Sequence, residues 1–247
     1  MKLRLIACEI LYREFSAAIA RSVNRVDMES LPKGLHDAGQ AAMSGRLREV
    51  LAQVDPAEYD AVLFGYGLCS NGVVGLAAGR VPLVIPRAHD CITLFLGSKE
   101  RYLDYFQNNP GVYFKTTGWL ERGAGINQLG SEAGKNPGLQ CSLEELTAKY
   151  GEDNARFLYE QLGDLTRHYR QFTFIRMGIE PDDRFERQAR EEAASRGWKY
   201  ECLDGDLGLI QRLLDGPWNE EEFLVVEPGY RVAPSFDEKV IKAEKIE

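Results

Sequence analysis

Ala61-Val62-Leu63-Phe64 is an apolar run with no polar interruption, and such a run holds as a strand when both of its faces are covered, as inside a parallel sheet. Its surroundings fit that placement. Lys2 to Cys8 has the composition of a short first strand, and Leu11 to Ala20 that of a helix. Val26 to Leu31 is a second strand. Gln40 to Gln53 is a helix with Ala42, Met43, Leu47, Val50 and Leu51 on one face, stopped by Asp55-Pro56. Val81 to Ile85 is a fourth strand, with Pro82 confined to its first residues or an edge because proline donates no ladder hydrogen bond.

The alternation returns late in the chain. Phe172 to Met177 is a strand, Asp183 to Arg196 a charged amphipathic helix ended by Gly197, Trp198 to Leu203 a strand, Leu207 to Leu214 a helix and Phe223 to Val226 a last strand. The expected fold is therefore α/β, a doubly wound, mostly parallel sheet in two Rossmann-like halves, 1–117 and 171–247. Residues 118–170 are expected to form an irregular and helical linker or lid: Gly118 to Gly138 is glycine-rich, and Ser142 caps a helical region from Leu143 to about Arg170. The Lys- and Glu-rich tail from Asp237 to Glu247 has the pattern of a solvated or frayed end.

Composition narrows the partners. The 247 residues carry 30 Lys and Arg against 38 Asp and Glu, a net charge of −8, so no global positive field attracts nucleic acid or anionic lipid. The apolar stretch from Leu3 to Leu11 is broken by Arg4 and Glu9 and is too short for a membrane span; a cytoplasmic protein is expected. Five cysteines are too few for a disulfide scaffold and odd in number, so reduced thiols are expected.

Open α/β sheets bind ligands outside the carboxyl ends of their strands. Cys8 closes the first strand, Cys69 lies in the loop Gly65-Tyr66-Gly67-Leu68-Cys69-Ser70-Asn71-Gly72, and Cys91 closes Pro86-Arg87-Ala88-His89-Asp90-Cys91. Their strand-end positions in a parallel sheet predict that all three face one crevice, although they are far apart in sequence. Gly65, Gly67 and Gly72 allow tight turns and close approach to a ligand. A helix over Val73 to Ala78 would turn its free N–H groups toward Cys69 and make it partly thiolate. His89 and Cys91, two apart, share a side of an extended segment.

Thiolate and imidazole suit soft and borderline metals, so Cys8, Cys69, His89 and Cys91 are the expected ligands of zinc, with three ligands and an open position, or an iron–sulfur cluster, as variants. A metal-free alternative pairs Cys69 with Cys91 as acid and base, or makes Cys69 the nucleophile, His89 its base and Asp90 the orienter, as in racemase-like chemistry. Gly67, Asn71 and Arg87 are the candidates for holding a cofactor or substrate, Arg87 through its planar fork. Against these stand packing roles: Cys8 as a buried small residue, His89 as a hydrogen-bonded core histidine, Arg87 as the partner of Asp90. Cys141 and Cys202 are expected to be structural, with Cys141 a distant candidate for an extra ligand.

The segments Ala-Cys-Glu-Ile-Leu at 7–11, Tyr-Gly-Leu-Cys-Ser-Asn-Gly at 66–72, Pro-Arg-Ala-His-Asp-Cys at 86–91, Leu-Gly-Ser at 96–98 and the Glu-Pro-Gly around 228 resemble a bacterial and archaeal family of cytoplasmic proteins known as domain of unknown function 1638. The resemblance supplies no activity. Its members often stand beside corrinoid-dependent methyltransferase genes, which implies a setting in methyl-transfer or one-carbon metabolism, with a small-molecule substrate or methyl carrier. A non-catalytic partner of a corrinoid or methyltransferase protein is the third functional class that this implies.

Overall fold

The computed structural model describes residues 1–35, 38–69, 71–122, 168–235 and 237–246, with short stretches between 135 and 156. The architecture is mixed α/β. Strands β1 (Lys2–Cys8), β2 (Arg25–Leu31), β3 (Ala61–Gly65) and β4 (Leu83–Pro86) run parallel in one sheet, and β10 (Phe223–Val226) closes one edge antiparallel to β4. The order across these five strands is β10-β4-β3-β1-β2. A second, fully parallel sheet contains β5 (Val112–Thr116), β8 (Gln171–Arg176) and β9 (Lys199–Asp204), with β8 in the middle. Two-residue strands, β6 (Lys135–Asn136) and β7 (Cys141–Ser142), pair with each other.

The alternating faces of β1 and β3 explain why helices cover both sides of the larger sheet. Leu3, Leu5, Ala7 and Leu63 pack with Phe15 and Ala18 of α1 (Tyr12–Ile19), with Leu94 to Leu96 of α3 (Cys91–Leu96) and with Leu213 of the last helix, α7 (Gly208–Asp215). Ile6, Val62 and Phe64 on the opposite face meet Met43, Leu47 and Val50 of α2 (Gln40–Ala52). The sheet is thus the middle of three layers. The smaller sheet is flanked by α4 (Lys99–Asn108), α5 (Thr117–Glu121) and α6 (Arg184–Ser195), with Ala189 of α6 packed on Phe174 and Ala193 on Phe172.

Three expectations change. The two sheets exchange strands across the chain, since β5 joins the second sheet and the late strand β10 completes the first. Val73 to Ala78 is not a helix: Val73 to Gly75 form turns and Ala77 bridges Arg231, because Gly75 takes φ +82° and its N–H bonds the carbonyl of Val232 at 2.8 Å. The tail is not frayed: Ile241–Lys245 (β12) pairs antiparallel with Tyr230–Pro234 (β11), burying Val240 and Ile241 against the Leu47 and Val62 layer. The helical region expected from 143 to 170 and the loop to 138 lie mostly outside the described residues, although the loop's first part, Thr117–Glu121, is helical. Among the described residues no helix is long and apolar enough to cross a membrane.

Candidate functional site

Parallel register aligns the carboxyl ends of adjacent strands: Ala7 of β1 stands opposite Gly65 of β3, and Leu63 opposite Val84 of β4. The next residues therefore emerge along one rim. Cys8 closes β1, the glycine loop follows β3, and the Arg87–Cys91 segment follows β4. The two loops are tied together by their backbones, with Leu68 N–H donating to Ala88 O at 2.7 Å and Cys69 N–H to His89 O at 3.0 Å. Gly67 makes this possible, since a Cβ there would stand 2.8 Å from Asp90 N and 2.9 Å from Ala88 O. The clamp holds Cys69 at φ 42° and Asn71 at φ 64°, a left-handed backbone that a non-glycine residue adopts at an energetic cost of about 1 kcal/mol or more.

Cys8, Cys69, Cys91 and Asp90 line a single cleft of about 340 Å³. The rim of the larger sheet makes one wall. The other comes from the smaller sheet and its helices: Val112 to Phe114 of β5, Tyr102 and Phe106 of α4 and Trp119 of α5. Sulfur, carboxylate and aromatic rings thus share one enclosure, as the strand-end argument anticipated for the thiols.

Burial dominates the electrostatics. Cys69 is 7% exposed, and desolvation, the negative charge of Asp90 and a neighbouring Cys8 push its thiol up to about 12. Cys91 is raised well above the ordinary thiol value by burial, then by Asp90, Cys69 and Cys8. The expected partial thiolate at Cys69 is therefore corrected: with turns in place of a helix after Gly72, backbone N–H groups at Gly67 and Cys91 offset only part of the desolvation.

Asp90 caps α3, accepting from Ile92 N–H at 2.9 Å, and its second oxygen accepts from the Tyr102 hydroxyl at 3.1 Å. Burial raises its pKa, while these donors lower it. Asp90 thus fixes Tyr102, where the metal-free scheme made it the orienter of His89. His89 is exposed, outside the lining of the cleft, with its ring centroid 6.5 Å from that of Tyr102. The reason is local: α3 begins at Cys91, so the two-residue alternation that would have paired His89 with Cys91 does not apply.

Arg87 also lies outside the lining. Buried, its guanidinium donates to the carbonyls of Glu220 at 2.7 Å, Lys239 at 3.0 Å and Ile241, which makes it a clamp on the C-terminal segments. Neither Asn71, which is exposed, nor Gly67 lines the cleft, and Gly67 serves loop packing. Cys202 sits in β9 beside Phe174 and Ala189, the structural role expected of it. Among the described residues no group of three or more His, Cys, Asp and Glu is arranged to hold a metal ion, so Cys8, Cys69, His89 and Cys91 do not form a ready-made ligand set.

Sequence reasoning missed Tyr66, Lys33, Tyr102 and Trp119, all of which line the cleft. Tyr66 carried a usable signal, being the first residue beyond β3 inside the glycine loop. Lys33, Tyr102 and Trp119 reach the cleft from segments whose docking no local pattern reveals.

No curated protein and no solved structure matches the chain. A family model described as "Protein of unknown function (DUF1638)" matches residues 30–214, a span that takes in Tyr66, Cys69, Asp90 and Cys91 and begins after Cys8. Because that match covers well over half of the sequence, the chain belongs to this family of unknown function.

Proposed function

We propose that the strand-end cleft is the functional site and that Cys8, Cys69 and Cys91 serve there as soft ligands for a metal ion, zinc in the first instance, with an open position facing the cleft. The observation that carries this reading is the convergence of three thiols from three adjacent strand ends on one enclosure. Burial and Asp90 raise both Cys69 and Cys91, and Cys8 raises both further, because negative charge is crowded into a desolvated space; a cation removes that penalty and releases protons as it binds. The left-handed backbone at Cys69 supports a functional role for that residue, since such strain persists where surrounding structure imposes it.

His89, exposed and outside the cleft lining, is left out of this ligand set. Bound zinc would supply Lewis acidity toward a thiol or water. The chain's own residues exclude bulk water with aromatic walls and position Tyr102 through Asp90. A cytoplasmic, reducing setting and a methyl-transfer or one-carbon role, with a small-molecule substrate, methyl carrier or corrinoid protein as partner, complete the proposal on the strength of the family resemblance.

Metal analysis of anaerobically purified protein tests it. About one equivalent of zinc, lost in Cys69→Ser, is the expected result; less than about a tenth of an equivalent after zinc supplementation overturns it. The lack of a ready-made three-donor group among the described residues favours a second reading, metal-free thiol acid–base chemistry between Cys69 and Cys91. That reading requires loss of turnover in Cys91→Ser with no metal in the active protein.

A further inference from the structure

Two buried donors of the cleft have no partner among the described residues. The Tyr66 side chain is 3% exposed and its hydroxyl makes no hydrogen bond there; Trp119, on the opposite wall, buries an indole N–H that likewise makes none. A buried donor without an acceptor costs roughly 1 to 3 kcal/mol, and folded proteins leave few of them. Burial and the neighbouring Cys8 and Cys69 raise the Tyr66 pKa, so the phenol keeps its proton and remains a donor. Lys33, 3% exposed, places its ammonium 4.5 Å from the centroid of the Trp119 ring and lines the same space.

Among the described lining residues Asp90 is the only acid, and its two oxygens are already engaged by Ile92 N–H and the Tyr102 hydroxyl. The two unsatisfied groups, at Tyr66 and Trp119, are both donors, and much of the remaining wall is apolar: Ile10, Ile92, Phe95, Phe106. Such a site selects a compact apolar body carrying an acceptor oxygen, and its donors and Lys33 disfavour an organic ammonium group.

We infer that the cleft binds a small aromatic or branched aliphatic carboxylic acid, whose carboxylate oxygens accept from the Tyr66 hydroxyl and the Trp119 indole N–H beside the positive charge of Lys33. Tyr66 is the specificity-determining residue. The inference shares with the proposed function the premise that this cleft is the functional site, and it does not require the metal. No covalent step is involved; the ligand satisfies donors that the protein alone leaves unsatisfied.

The test uses three molecules of one shape, phenylacetate, phenylacetamide and phenethylamine, titrated calorimetrically into the full chain, with zinc content measured on the same samples. Phenylacetate is expected to bind at least about tenfold more tightly than phenethylamine, with the amide between them. Tyr66→Phe should weaken phenylacetate about tenfold while leaving the melting temperature of the free protein unchanged or higher, because it deletes an unsatisfied buried hydroxyl. Trp119→Phe should weaken it by a similar factor. The inference is overturned if phenethylamine binds as tightly as phenylacetate, if none of the three binds at about 10 mM, or if Tyr66→Phe binds like the parent. A lowered melting temperature in Tyr66→Phe also overturns it, since it would give the hydroxyl a structural partner. Acid binding by protein that takes up no zinc after supplementation defeats only the metal reading, whereas full zinc occupancy without acid binding defeats only this one.

Discussion

Glu14 offers the sharpest thermodynamic test of the fold. It lies on α1, is 1% exposed, and one of its carboxylate oxygens has no hydrogen-bond partner among the described residues. Desolvation raises its pKa from 4.5 to about 7, helped by the negative charges of Glu180 and Glu121 and opposed by its own backbone N–H and by Arg13, which is engaged by Glu121. Below pH 4.5 the carboxyl is protonated in folded and unfolded chains alike and has no effect on their balance. As pH rises from there to about 7, the unfolded chain releases its proton while the folded one retains it, so stability falls; above about 7 the loss is complete. Each pH step in that window removes about 1.4 kcal/mol, giving a total of about 3 kcal/mol. Glu14→Gln abolishes the titration. Urea unfolding at about pH 4.5 and about pH 8 should show the variant gaining about 3 kcal/mol on the parent between the two, whatever its pH-independent offset. Two stability curves that run parallel across this range would refute the assignment of Glu14 as a protonated core residue.

Other substitutions probe packing and the thiols. Gly65→Ala, at the carboxyl end of the larger sheet's central strand, would put a methyl 2.6 Å from the Ala7 Cβ and 2.7 Å from Cζ of Phe15 and should cost about 3 kcal/mol in a urea melt; a change below about 0.5 kcal/mol would show that the ring moves freely. Lys115 is fully buried, paired with Glu192 and 4.3 Å from the Phe172 ring centroid, whereas Glu192 keeps partial solvent exposure and Arg196 as a second partner. Glu192→Gln, which strands the ammonium, should therefore destabilise by about 3 kcal/mol, clearly more than Lys115→Met, and the reverse order in denaturant unfolding would contradict the burial argument. With its thiol near 12, Cys69 in metal-free protein should react with iodoacetamide at pH 8 roughly a thousandfold more slowly than an unperturbed cysteine; mass-spectrometric labelling at the ordinary rate would be incompatible with that environment.

Much of the scaffold was legible because its signals are local. Phe223–Val226 is a strand with the expected bounds, and the helices after Gly39 and Asp183 fall within a residue or so of their expected ends, since apolar periodicity and the punctuation by Asp55-Pro56 and by Gly197 need no tertiary information. The convergence of Cys8, Cys69 and Cys91 was legible for a different reason, because parallel strands align their carboxyl ends. What failed depended on contacts remote in sequence. β5 has Lys115 in its interior and lacks the clean alternation of a half-buried strand; its lysine is buried only because Glu192 of α6 receives it. The exposure of His89 and the withdrawal of Arg87 follow from the helix that starts at Cys91 and from carbonyls more than a hundred residues away. Tyr102 and Trp119 enter the cleft on elements whose own sequences contain nothing of the thiol rim.

The antiparallel edge strand β10 has a consequence for synthesis on the ribosome. Strands β1 to β4 emerge early, yet β4 has no outer neighbour until residues 223–226 have been made, and Arg87 waits still longer for the carbonyls of Lys239 and Ile241. A nascent chain that pauses before that point carries an open strand edge and an unclaimed guanidinium near its cluster of thiols, so the synthesis of residues 223 to 241 both seals the sheet against foreign strands and completes the support beneath the cleft.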